Sequence, residues 1–157
     1  MAHFTGSLVL EEIGYEMWKV KRSFSFHSSG LVVSVEAGFE TDLASIPGLA
    51  RSFIPKIGYW SQPAVIHDIG YWGHREGVQV ARSELTGEYV DLTRKDVDKL
   101  FMSGCEVKEE EYKIPVYAHR SLILYAGVRA GGLDNWETSK EREARVSADA
   151  PFQFIGD

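Results

Sequence analysis

Polar and apolar residues alternate most cleanly between Trp18 and Phe26. Trp18, Val20, Arg22, Phe24 and Phe26 fall on one parity, and Lys19, Lys21, Ser23 and Ser25 on the other. A period of two is that of a half-buried antiparallel strand, and Arg22 alone spoils it. Apolar runs on either side, Leu8–Leu10 and Leu31–Val35, with turn signals at Gly14 and at Ser28-Ser29-Gly30, extend the β signal from Ser7 to Glu40. The pattern predicts a small antiparallel meander covering one side of a helical core.

The period becomes helical over Ser61–His74, SQPAVIHDIGYWGH. Ser61 suits an N-cap, Pro63 suits a first turn, and the helix is expected to end near Gly73. At about 100° per residue, Ala64, His67, Asp68 and Tyr71 share one narrow face, and Val65, Ile69 and Trp72 make an apolar neighbour to it. Polar groups in so apolar a segment are costly to bury without partners or work, so that face reads as a pocket wall. Thr93 caps a second helix, TRKDVDKLFMSGC, on which Arg94, Asp98, Phe101 and Cys105 share a face. A carboxylate in an apolar stripe has to pair, with Arg94, with a residue on another helix, or with a metal. Pro115 opens a third helix, IPVYAHRSLILYAGVRAGG, with Ala118, Leu122, Tyr125 and Arg129 in one stripe and Gly131-Gly132 at its end.

Between the first two helices, Val78–Leu92 reads as a β-hairpin turning at Thr86-Gly87 and protruding from the core. Gly38–Pro47, GFETDLASIP, is a turn-rich connection in which Thr41, Asp42 and Ser45 suit local capping hydrogen bonds. Leu49–Trp60 reads as a partly helical lid, Lys108–Lys113 as a solvated connection, and Leu133–Asp157 as a tail that docks through Phe152, Phe154 and Ile155. The expectation is one α+β domain over 1–157, an N-terminal antiparallel β-sheet packed on a three-helix core with an inserted β-hairpin between the first two helices. Its parts are a β region over 1–40, a helical core over 41–132 and a tail over 133–157.

Composition narrows the classes. At 157 residues, 44% hydrophobic and 25% charged, the chain is long enough for one ordinary core. No apolar run approaches the roughly 20 residues of a membrane span, and the N-terminus has neither the basic start nor the apolar stretch of a signal peptide. A net charge of −6 without a Lys/Arg stripe argues against nucleic acid as partner and favours metals or neutral substrates. The single cysteine, Cys105, excludes an intramolecular disulfide and reads as a small buried apolar residue.

The candidate chemistry centres on His67 and Asp98, which lie on helix faces expected to turn towards one another. A carboxylate on one imidazole nitrogen fixes the tautomer and leaves the other nitrogen to take a proton from water, which is general-base catalysis. Asp68, about 100° further round the helix, suits a hard cation with oxygen ligands, and Asp42 in the upstream turn is a candidate second ligand. Tyr71 is placed to donate its hydroxyl to Asp98. Arg94, Arg129 and Tyr125 are structural or substrate-binding candidates, with pairing to buried carboxylates favoured for the arginines. A Ser45, His67, Asp98 triad is the minor reading, because no G-x-S-x-G elbow is present. The competing reading is a self-satisfied network of His67, Asp68, Tyr71, Arg94 and Asp98 that only holds helices together.

FETDLASIP, then AVIHDIGYWG, then TRKDVDKLFMSG and YAGVR, from about Gly38 to Arg129, resemble a phage- and prophage-associated family of unknown function numbered 1353. Its pattern runs roughly F-x-T-D-L-A-S-I-P, H-D-x-x-Y, R-x-x-A-D-x-x-F and a final V-R helix. Val97 stands where that pattern has Ala, and Val78–Leu92 lengthens the gap between H-D and R. The resemblance implies a phage context, in the cytoplasm of an infected bacterium or in the virion, more than it implies a reaction. A more distant similarity is to the paired catalytic helices of phospholipase A2. It implies His67 as base, Asp68 as ligand of calcium or another hard divalent cation, and Asp98 with Tyr71 as support. The cysteine-flanked, glycine-rich calcium loop and the disulfide framework of that family are missing. The resulting expectation is a phage-encoded hydrolase of an ester or related bond, metal-assisted and without organic cofactor, acting on a small or lipid-like substrate. The alternative is a non-catalytic virion or assembly protein that binds other phage proteins.

Overall fold

The alternating run breaks at Lys21–Ser23, around the misplaced Arg22, and the break divides the strands between two sheets. In the computed structural model, which describes residues 1–43, 55, 57–141 and 144, the first sheet contains β1 (His3–Thr5), β4 (Phe24–Ser28), β5 (Leu31–Val35), β7 (Ala81–Ser83) and β8 (Tyr89–Val90). They are antiparallel neighbours in that order. The second sheet contains β2 (Leu10–Gly14), β3 (Met17–Val20) and β6 (Glu40–Thr41), in the order β2-β3-β6. Arg22 is exposed between β3 and β4, while Val20, Phe24 and Phe26 are buried, so the parity is kept by the core across a bend in the chain. The helices among the described residues are α1 (Ser61–Glu76), α2 (Arg94–Glu111), α3 (Ser121–Gly131) and the four-residue α4 (Leu133–Trp136), with a 3-10 turn at Val116–Ala118 before α3.

The architecture is α+β, but not as one sheet on a three-helix core with a hairpin set between helices. Among the described residues β1 to β6 precede the helices and form parts of two sheets, and the helices that follow are four rather than three. The Val78–Leu92 segment does not protrude as a separate hairpin. Its β7 pairs with β5, Val32 opposite Arg82 and Val33 opposite Ala81, so the chain returns after α1 to extend the N-terminal sheet. The buried Ala81, with Val80 and Leu92 packed against the core beside it, ties that edge to the rest of the molecule. The expected third helix is also divided, because His119 is extended (φ −62°, ψ 135°) between the 3-10 turn and α3.

α1 is buried almost all round, with Ser61 through His67 and then Ile69, Gly70 and Tyr71 shielded. Trp60 occupies its N-cap without a side-chain bond, and Ser61 lies inside the helix, its hydroxyl accepting the Gly58 N–H at 2.9 Å. The helix runs past Gly73 to Glu76 and stops at Gly77, whose φ of 68° is the left-handed cap conformation that glycine adopts without strain. At Gly70 a side chain would meet Val97 of α2 at 2.5 Å, so the missing Cβ lets the two helices approach closely. α2 begins in a full capping box between Thr93 and Asp96. Val65, Ile66 and Ile69 of α1, Leu100, Phe101 and Cys105 of α2, and Leu124 and Val128 of α3 join Val20, Phe24, Phe26, Val33 and Val35 of the sheets in one core. Each fully buried large side chain stabilises the fold by about 1.5–3 kcal/mol. No helix among the described residues is long and apolar enough to cross a membrane. The expected lid at Leu49–Trp60 lies outside the described residues at 49–54 and 56, and the expected docking of Phe152, Phe154 and Ile155 lies outside them entirely.

Candidate functional site

The close approach of α1 and α2 sets His67 against Asp98. His67 Nε2 lies 2.7 Å from Asp98 Oδ1, and the Tyr71 hydroxyl donates to the same oxygen at 2.8 Å. Arg129 reaches across from α3 and donates to the other oxygen, Oδ2, at 2.7 Å. One carboxylate thus holds a donor from each of three positions, on two different helices, α1 and α3. The centre of the network is buried, the Asp98 residue having no exposed surface and His67 only 4%, while Arg129 at its edge is one-third exposed. The imidazole packs between rings, 4.2 Å between centroids to Tyr71 and 5.3 Å to Phe101.

Burial by itself raises the Asp98 carboxyl, yet hydrogen bonds from His67, Arg129 and Tyr71 outweigh it and hold the group below its ordinary value. Asp98 is therefore an acceptor only, so the nitrogen facing it, Nε2, carries the proton, and in the neutral ring Nδ1 is the acceptor. Desolvation and the adjacent Asp98 charge push the Tyr71 hydroxyl up, so it stays a donor.

Arg94 does not pair with Asp98. Its guanidinium donates to the backbone carbonyls of Val128 at 3.5 Å and Arg129 at 3.2 Å, closing the end of α3. Gly132 packs just beyond, where a side chain would run into the Tyr71 hydroxyl and the Val128 carbonyl. Tyr125 is half-buried on α3 and interacts electrostatically with Arg129.

Asp68 points to β6 instead of joining the dyad: the Thr41 hydroxyl donates to its Oδ2, and Thr41 Oγ1 in turn accepts the Leu43 N–H at 3.1 Å. Thr41 makes the local turn bond expected of it and also links α1 to the second sheet. Asp42 is exposed, and Ser45 lies outside the described residues. A calcium ion takes six to eight oxygens. Among the described residues no group of three or more His, Cys, Asp or Glu side chains is placed to hold a metal, and the Asp68 oxygen nearest β6 is already engaged. The described donors do not fit a calcium ion.

Sequence reasoning missed Glu109. Residues 108–111 form the last turn of α2 rather than a solvated connection, and Glu109 is buried. Its Oε1 accepts the Tyr59 hydroxyl at 2.6 Å and the backbone N–H groups of Arg120 at 2.7 Å and Ser121 at 3.0 Å. Burial raises this carboxyl, and those donors more than offset it and bring it below its ordinary value. The signal was present: Glu109 lies four residues beyond Cys105 and eight beyond Phe101, on the same helical stripe.

No curated protein and no solved structure matches the chain. Residues 18–128, the greater part of the chain and the span holding β3 to β8, both dyad residues, Tyr71 and Arg94, match the model of a family described as a protein of unknown function, DUF1353, and the chain belongs to that family.

Proposed function

We propose that this chain is a phage-encoded hydrolase in which His67, oriented by Asp98, takes a proton from water that attacks an ester or a related bond. The observation that carries the reading is the 2.7 Å contact between His67 Nε2 and Asp98 Oδ1, backed by Tyr71 and Arg129 on the same carboxylate. Asp98 holds the tautomer in which Nδ1 is the proton acceptor and stabilises the imidazolium formed when the proton arrives. Arg129 and Tyr71 keep Asp98 ionised and fixed. The proton taken from water leaves to the departing alkoxide or equivalent group as the ring returns to neutral. Each of these steps is carried by the chain's own side chains. The phage context is supported by the motif pattern from Gly38 to Arg129.

A specific observation favours a second reading, a virion or assembly protein in which the same network only fastens α1, α2 and α3. Asp98 has no exposed surface, His67 has almost none, and every Asp98 oxygen is satisfied within the protein. The test is His67→Gln assayed on carboxylic ester, phospholipid and phosphodiester substrates, with the melting temperature measured alongside. The hydrolase reading expects wild-type turnover of one class, reduced by about 10²-fold or more in the variant with a nearly unchanged melting temperature. A wild type inert across the panel, together with a variant that unfolds, would hand the site to the structural reading.

A further inference from the structure

In a chain of net charge −6, the 22 residues from Tyr112 to Leu133 contain no aspartate or glutamate, while Lys113, His119, Arg120 and Arg129 lie among them. This stretch also carries the most exposed apolar cluster of the described residues. Val116 and Tyr117 of the 3-10 turn are 82% and 87% exposed, and Leu122 and Ile123 of α3 are 67% and 56% exposed, with Tyr112 exposed beside them. The outward stripe of α3 continues through Ala126 and Ala130, both exposed, so nothing charged interrupts it. The one cation of α3, Arg129, turns inward to Asp98. Apolar side chains left in water at this density mark a contact surface rather than an ordinary exposed residue.

The charges decide what the contact is. Lys113 is exposed at the foot of the patch, and the Arg120 guanidinium bonds only backbone carbonyls, of Tyr117 and His119, among the described residues. The acid nearest Arg120 is Glu109, which accepts its backbone N–H at 2.7 Å and lies 3.4 Å from His119 Nδ1 without reaching the guanidinium, and Glu111, at the end of α2, is already paired with Lys108 at 2.6 Å. A two-fold contact with a second copy would set these unneutralised cations near their own images. Tyrosines and aliphatic side chains flanked by lysine and arginine suit a boundary that is apolar below and negatively charged at its surface. We propose that the face built from Tyr112, Val116, Tyr117, Leu122 and Ile123 docks on an anionic lipid surface, with Lys113 and Arg120 against the headgroups. The inference does not depend on hydrolysis, because binding is read without turnover.

The test is co-sedimentation of the full chain with vesicles of phosphatidylglycerol mixed with phosphatidylcholine, against vesicles of phosphatidylcholine alone. Binding to the anionic vesicles that falls with salt is expected. Leu122→Asp combined with Ile123→Asp should lower it by about tenfold or more, and Lys113→Glu should weaken it without touching the apolar face. Both aspartates fall in the first turn of α3, where a negative charge favours the helix, so folding should survive, as circular dichroism would verify. Wild-type protein that stays in the supernatant, or aspartate variants that bind as well as wild type, would overturn the proposal. So would a concentration-dependent dimer abolished by the same pair, which would assign the face to a second copy.

Discussion

Asp98 holds three donors on two oxygens, so replacing it with its amide separates what the carboxylate does for His67 from what it does for Arg129. In Asp98→Asn one side of the group becomes a donor. If the amide nitrogen faces His67, the ring is driven to the tautomer with Nδ1 protonated and loses its base; if it faces Arg129, two donors confront each other. Breaking a fully buried pair costs about 3–5 kcal/mol, but a third of the Arg129 side chain reaches solvent and can rehydrate when its partner is lost. The expected cost is therefore lower, about 1–3 kcal/mol in urea unfolding. Turnover on the substrate found for the wild type should fall by about 10²-fold or more. Retention of full activity by a folded Asp98→Asn protein would remove the dyad from the mechanism.

α3 matters because it carries Arg129 to Asp98, and its own start is not self-sufficient. Arg120 occupies the N-cap and offers no side-chain bond to the first turn. Glu109 supplies that cap from α2, accepting the N–H groups of Arg120 and Ser121 and tying in Tyr59 just ahead of α1. Glu109→Ala should cost about 2 kcal/mol. More tellingly, it should speed hydrogen exchange at the Leu124 and Val128 amides while leaving α1 protected; equal protection in both proteins would show that α3 is held by its apolar contacts alone. Much of this arrangement was legible in the pattern. The faces of the first two helices were read from spacing, and the closeness of His67 to Asp98 follows from them. What misled was local chemistry: a run of like charges at 108–111 looked solvated although the helical stripe continued through it, and Pro115 looked like a helix start although the regular turns begin at Ser121. Arg22 was the visible mark of a strand break, but a single polar residue cannot tell a bend between two sheets from an imperfection in one.

At the scale of the molecule, the carboxylates buried among the described residues, Asp98 in the network and Glu109 at the α3 cap, make acid stability the property that reports on both. Each is held below its ordinary value, 3.8 for Asp98 and 4.5 for Glu109, by the donors around it. The unfolded chain therefore takes up these protons at a higher pH than the folded one, so the stabilisation is complete above those ordinary values and is lost as pH falls through the lower folded ones. Glu11, Asp96 and Glu141 are also lowered, Glu11 mainly by Lys21, Asp96 by Thr93 and Glu141 by Thr138, but all three lie at the surface. For the Lys21–Glu11 ion pair, about 1 M salt shortens the screening length to roughly 3 Å and suppresses the charge term, whereas a buried pair is screened much less. Unfolding free energies measured from pH 7 to pH 2.5 in high salt should thus still fall on the acid side, and the fall should be shallower in Asp98→Asn and in Glu109→Gln, each against wild type. The two sites share no hydrogen-bond partner, so the double variant should flatten the acid limb by close to the sum of the two. An acid limb identical in wild type and both variants would mean that neither carboxyl is held below its unfolded value, whereas a steeper fall in a variant would mean that the replaced carboxyl carries a proton in the folded chain.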